Sequence, residues 1–245
     1  MNTLIQDLNI HYEKYGTKGK KVVLLHGWGQ NTQMMAFIGE HLKKHFIVYN
    51  IDFPGFGQSQ EPNEAWSCED YTEFLHAFCQ KFKIDGPIFI AHSFGCRIAL
   101  RYAYKYGAHR MVLTGAAGIK DSHDLSWYIK TYSYKLAKKL FPEYARKYAE
   151  KVGSTDYKNS SGVMRKTFVK VVNDDVKDIL KDINVETLLV FGELDEATPL
   201  SKGKLMEKLM PDATLVVFEN DDHYAYINEA QRFNAVLDAF LKRDY

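Results

Sequence analysis

Ser93 stands in the run AHSFG (91–95), between an apolar stretch IFIA (88–91) and a helix-forming stretch RIALRYA (97–103). Serine is a weak nucleophile until a base takes its proton. On a tight strand-to-helix turn its hydroxyl would be exposed beside the free N–H groups and positive dipole end of a helix. Ala91 and Gly95 are small enough to let such a strand and helix approach closely. The same five residues also read as a plain helix N-cap, so other parts of the chain must decide. His223, in FENDDHYAYINEA (218–230), is the candidate base, because imidazole titrates near neutrality. Asp195, in LLVFGELDEATP (188–199), is the candidate acid that would hold the imidazole in one tautomer. Glu193 and Asp222 compete with it, although Asp222 adjoins His223 in sequence, where neighbouring side chains point apart. The order Ser93, Asp195, His223 is one known order of a serine triad. Acyl transfer also needs donors aimed at a developing oxyanion. The backbone N–H of Phe94 and that of Trp28, in LLHGWGQN (24–31), are the candidates, with Gly27 and Gly29 easing a close backbone approach. His26 reads as structural.

These residues need a frame that brings them to one edge. VVLL (22–25), FIVYNI (46–51), IFIA (88–91), RMVLTG (110–115), TLLVF (187–191) and TLVVF (214–218) are short β-branched runs, apolar on both faces, as buried parallel strands are. LNIHYEKYG (8–16) alternates and reads as an edge strand. Helical periodicity appears at 70–82 through Tyr71, Phe74, Leu75, Phe78 and Phe82, and at 228–243 through Ala230, Phe233, Leu237, Phe240 and Leu241. Strands alternating with helices predict a parallel sheet covered on both faces, with Ser93, Asp195 and His223 in loops at the carboxyl ends of strands. The alternation breaks between 121 and 183, where helical stretches interrupted by Pro142 carry 13 Lys and Arg against 9 Asp and Glu.

Composition bounds the rest. With 245 residues, 46% apolar, 26% charged and net charge +1, one α/β domain with an insertion is expected, with nucleic acid excluded as a partner. No apolar run reaches the roughly 20 residues of a membrane span, and the first residues do not read as a signal peptide. Cys68, Cys79 and Cys96 form no disulfide pattern, which suits a reducing cytoplasm. The nine histidines are read as forming no metal-ligand pattern.

HGWG (26–29), DFPGFGQS (52–59), AHSFG (91–95), GELDEATP (192–199) and DDHYAYIN (221–228) together resemble the α/β-hydrolase superfamily in order and position, over nearly the whole chain. Ala91 departs from the usual glycine of the elbow, and Asp222 from the glycine often found before the histidine. The resemblance implies an eight-stranded, mostly parallel sheet. It also implies core segments 1–120 and 184–245, a helical cap at 121–183 after the sixth strand, and a serine hydrolase needing no cofactor or metal. The activity expected is hydrolysis of a small carboxylic ester or thioester through an acyl-enzyme. Two alternatives stand beside it. One is a carbon–carbon bond hydrolase of meta-cleavage type acting on an anionic dienoate, whose asparagine and tryptophan positions are His92 and Tyr224 here. The other is a non-catalytic, ligand-binding member of the same fold. The substrate pocket is expected to draw on His92, Trp127, Tyr128, Tyr132, Arg165 and Tyr224, with Tyr134 a further aromatic candidate. No stable membrane association is expected, and oligomeric state is left open.

Overall fold

The computed structural model describes residues 1–120, 156, 160 and 162–245. Eight strands form one sheet: β1 (Asn2–Ile5), β2 (Leu8–Tyr15), β3 (Lys21–Leu25), β4 (Ile47–Ile51), β5 (Ile88–His92), β6 (Arg110–Thr114), β7 (Thr187–Gly192) and β8 (Ala213–Phe218). Their order is β1-β2-β4-β3-β5-β6-β7-β8. β1 pairs antiparallel with β2, and β2 antiparallel with β4; every other pairing is parallel. The expected eight-stranded, mostly parallel sheet is therefore present. The expectation that residues 8–16 form the edge is corrected, because β1 pairs outside β2. That strand is only four residues long, and its hairpin turns through Gln6 and Asp7, both at positive φ, without the usual glycine.

Alternate strand residues feed two cores. Val23, Leu25, Phe89 and Ala91 face α2 (Cys68–Lys81), α3 (Phe94–Tyr106) and α5 (Leu200–Leu209). Val22, Leu24, Ile88 and Ile90 face α1 (Ala36–Leu42), the short α6 (Ala225–Asn228) and α7 (Ala230–Leu241). Complete burial of β5, β6 and β7, and of β3 from Val22 onward, explains their apolar runs. Ser67 starts α2 with a capping box, exchanging hydrogen bonds with Asp70.

After β6 the chain leaves the sheet, and it returns through α4 (Gly162–Val172) and a 3-10 segment at Lys177–Asp182. The Val176 N–H donates to Gly118 O at 3.0 Å, tying departure to return. α4 lies against the loop after β4. Trp66 N donates to Thr167 Oγ1, Lys170 Nζ reaches Ala65 O, and the Phe168 ring meets Trp28 at 5.1 Å. Met164, Val171, Val176, Leu180 and Ile183 join the larger core. Among the described residues no helix is long and apolar enough to cross a membrane.

Candidate active site

β5 runs straight into α3 with Ser93 as the single hinge residue, at φ 49° and ψ −107°. A side chain at positive φ is strained by about 1–3 kcal/mol and persists only where its surroundings enforce it. Here Ser93 N donates to Thr114 O of β6, and Ser93 O accepts from Cys96 N. Gly95 lets the elbow form, since a Cβ there would stand 2.4 Å from Leu25 O. α3 consequently begins hard against the end of β3. Phe94 opens the helix, so its N–H has no intrahelical acceptor. Neither that N–H nor the Trp28 N–H donates to another described residue.

The loop after β3 is held by His26, which is completely buried. Its Nδ1 donates to Gly27 O at 2.7 Å, and its Nε2 accepts from Phe53 N at 3.0 Å. Both ring nitrogens are used, and burial lowers its pKa to about 4. His26 is thus a neutral strut between the loops after β3 and β4. Trp28 lies above it, edge-on to Phe94 at 5.5 Å and to Phe56 at 4.8 Å.

At the ends of β7 and β8 the charged groups meet. His223 Nδ1 lies 2.8 Å from Asp195 Oδ2. Asp195 also accepts from Ala197 N (2.9 Å), Thr198 N (2.8 Å) and Thr198 Oγ1 (2.7 Å). Burial would raise this carboxyl, but the hydrogen bonds from His223 and Thr198 outweigh it and hold its pKa below the usual value. Because Nδ1 faces a carboxylate it carries the proton, which leaves Nε2 basic. Two glycines permit this crossing of loops. A Cβ on Gly115 would stand 2.9 Å from His223 Nδ1, and one on Gly192 would stand 2.1 Å from Asp222 O. The rival carboxylates point elsewhere: Asp222 Oδ1 accepts from Tyr224 N and Asn228 Nδ2, and Glu193 Oε2 accepts from Asn220 N.

Ser93 and His223 line one cavity of about 560 Å³, together with Trp28, Phe94, His92, Tyr224 and the α4 residues Phe168, Val171 and Val172. Two other hollows of about 550 and 630 Å³ match it in size but contain no serine. Chemistry, not volume, singles out the first.

A family model described as the alpha/beta hydrolase family matches residues 22–236. The chain belongs to the alpha/beta hydrolase family. A pimeloyl-[acyl-carrier protein] methyl ester esterase of Legionella pneumophila (strain Corby) is 28% identical over 96% of this chain and 100% of its own. The AB hydrolase superfamily protein YisY of Bacillus subtilis (strain 168) is 24% identical over 91% of each chain. Among solved structures, an esterase from Exiguobacterium antarcticum superposes with a TM-score of 0.78 at 21% identity, covering 99% of this chain and 100% of that one. A meta-cleavage product hydrolase from Pseudomonas fluorescens IP01 gives 0.77 at 21%, covering 100% and 98%. Family and fold together make this alpha/beta hydrolase an enzyme of the hydrolase class.

Of the pocket residues expected from sequence, the structure brings His92 and Tyr224 to the cavity. His92 is wholly buried behind His223, with ring centroids 4.7 Å apart. Its Nδ1 donates to Thr114 O, and burial first, then the neighbouring His223, lowers its pKa to about 3. It packs against the His223 ring and is screened from solvent. Arg165 does not line the cavity. α4 lines the cavity through Phe168, Val171 and Val172, whereas the Arg165 Nε donates to Ser160 O. Trp127, Tyr128, Tyr132 and Tyr134 lie outside the described residues.

Four members of the site escaped sequence reasoning. Thr198 could have been found as the hydroxyl three residues after a turn aspartate. Gln30 lines the cavity and accepts from Gly27 N. Arg97 and Asp156 line it too, and no local pattern marks either one. The histidine reading also needs a correction: His41 and His45 are spaced as two ligands on one helix face. His41 is instead 2.8 Å from Asp238, and His45 stacks on Tyr245. Among the described residues no group of three potential ligands is placed to hold a metal.

Proposed function

We propose that this alpha/beta hydrolase is a serine esterase that cleaves a small carboxylic ester through an acyl-enzyme. The observation that carries the reading is the positive-φ Ser93 elbow sharing one cavity with the His223–Asp195 pair. In the proposed reaction Ser93 Oγ attacks the ester carbonyl while His223 Nε2 takes its proton. Asp195 stabilises the resulting imidazolium through the Nδ1 hydrogen bond. The N–H groups of Trp28 and Phe94 receive the oxyanion, which is consistent with their lack of any described acceptor. His223 then protonates the departing alkoxide. Water, deprotonated by the same nitrogen, releases the acid and restores Ser93.

Residues 121–183 form the cap of this proposal, over a core made of 1–120 and 184–245. The Legionella relative, named for a methyl ester, supports a small alcohol as leaving group here. The protein works on a small molecule without metal or cofactor.

A fluorophosphonate probe should label the wild type and fail to label Ser93→Ala, and p-nitrophenyl esters of graded chain length should be turned over only by the former. Absence of labelling on folded wild type would sink the reading. Faster turnover of a meta-cleavage dienoate than of any ester would replace it with carbon–carbon cleavage.

A further inference from the structure

Arg97 is a charge on the cavity wall that ester cleavage does not use. Arg97 lies four residues after Ser93 on α3. At ~1.5 Å rise per residue its Cα is about 6 Å along the helix from the elbow. Helical side chains lean toward the N-terminus, so Arg97 leans back toward Ser93, and it lines the same cavity. It is only 9% exposed.

A guanidinium has five donors and is always charged, and one buried to this degree is normally matched by a carboxylate or phosphate. Arg97 has no such match among the described residues. Its Nη1 donates to the neutral Asp174 carbonyl at 2.6 Å, and it makes no ion pair with any described residue. The acids beside it are engaged elsewhere. The Asp174 carboxylate receives both Nε and Nη2 of Arg101, and Asp175 Oδ1 caps the N–H of Lys177. The α4 side of the same cavity offers the apolar side chains of Phe168, Val171 and Val172, suited to methylenes.

We infer that Arg97 binds the free carboxylate of an acyl chain whose ester end lies at Ser93, so that the preferred substrates are monoesters of dicarboxylic acids. This inference rests on the esterase reading and deepens it. The other charge on the cavity wall, Asp156, lies close enough to feel His223. It would repel a carboxylate bound beside His223 and so favours the orientation that places the carboxylate at Arg97. The reaction is unchanged: water is consumed, the alcohol leaves, and a dicarboxylate is released.

The test compares kcat/KM for monomethyl adipate with that for methyl heptanoate, a neutral ester of similar length. Wild type should prefer the charged ester by about tenfold or more, the scale of one charge-assisted pair. Arg97→Gln should bring that ratio to about one, and Arg97→Lys should keep part of it, because lysine supplies charge without the planar fork. Arg101→Gln loosens the same Asp174 segment without lining the cavity, and should lower Tm while keeping the ratio. A wild-type ratio of one or less would overturn the inference. So would a fall in Arg101→Gln as large as in Arg97→Gln, which would mark a purely structural role. Adipate binding to Ser93→Ala, followed by calorimetry with and without Arg97→Gln, separates the two readings. Arg97-dependent adipate binding in a protein that cleaves no ester keeps the subsite and discards the esterase. Ester turnover with no Arg97-dependent binding discards the subsite alone.

Discussion

Asp195 accepts four hydrogen bonds while nearly inaccessible to water, so its carboxylate is locked in direction as well as in charge. Replacing it with asparagine removes the charge and can present an amide N–H to His223, favouring the wrong tautomer. Asp195→Asn should therefore cost about 10⁴ in kcat. Asp222→Asn, whose side chain faces Tyr224 N and Asn228, should cost less than about threefold. If steady-state kinetics reversed that ranking, the base would be oriented by Asp222. Thr198→Val strips one charge-assisted hydrogen bond from Asp195 and should lower kcat by about ten- to a hundredfold. Ser93, Asp195 and His223 were legible as candidates because each follows an apolar, β-branched run and so lands at the carboxyl end of a strand. Thr198 was half-legible, as a hydroxyl near a turn aspartate. Arg97 was not legible, because its meaning depends on which acids Arg101 and Lys177 already occupy.

At the scale of elements, the β5–α3 elbow joins strain to close contact. Ser93→Gly should relieve the positive φ and raise stability by roughly 1 kcal/mol while abolishing hydrolysis, visible as a higher denaturation midpoint. An unchanged or lower midpoint would mean that the elbow is not strained. Gly95→Ala acts in the opposite sense. Its methyl would meet the Leu25 carbonyl, a backbone atom that cannot rotate away, so a loss of about 1–3 kcal/mol is expected. A midpoint within error of wild type would show that α3 can slide off β3 freely. The parallel strands were readable because burial on both faces leaves no polar alternation to mislead. β1 was missed because four residues carry too little pattern and its turn lacks the usual glycine signal. Gly115 and Gly192 were missed for a related reason. The atoms they make room for, in His223 and Asp222, belong to chain more than twenty-five residues further on.

For the whole molecule, two wholly buried histidines set the acid limit. Burial lowers His26 to about 4 and His92 to about 3, from 6.5 in an open chain. Both are neutral in the fold, so below pH 6.5 the unfolded chain binds more protons than the native one. Their contribution is complete above about pH 6.5 and is lost as pH falls from there toward 4 and below. Denaturant midpoints measured at pH 7, 5.5 and 4.5 should decline in that order, and a flat profile would mean that one or both are protonated in the native state. The sheet has a consequence in time as well. Ser93 sits at its centre, just after the strand that pairs with β3 and β6, whereas His223 follows β8 at the far edge, 130 residues later in the chain. Strands β3 to β6 can pair before β8 is available, so His223 reaches Ser93 only when the last strand has docked. Recovery of hydrolysis during refolding would therefore time the closing of that edge, whatever the optical signals of the earlier strands report.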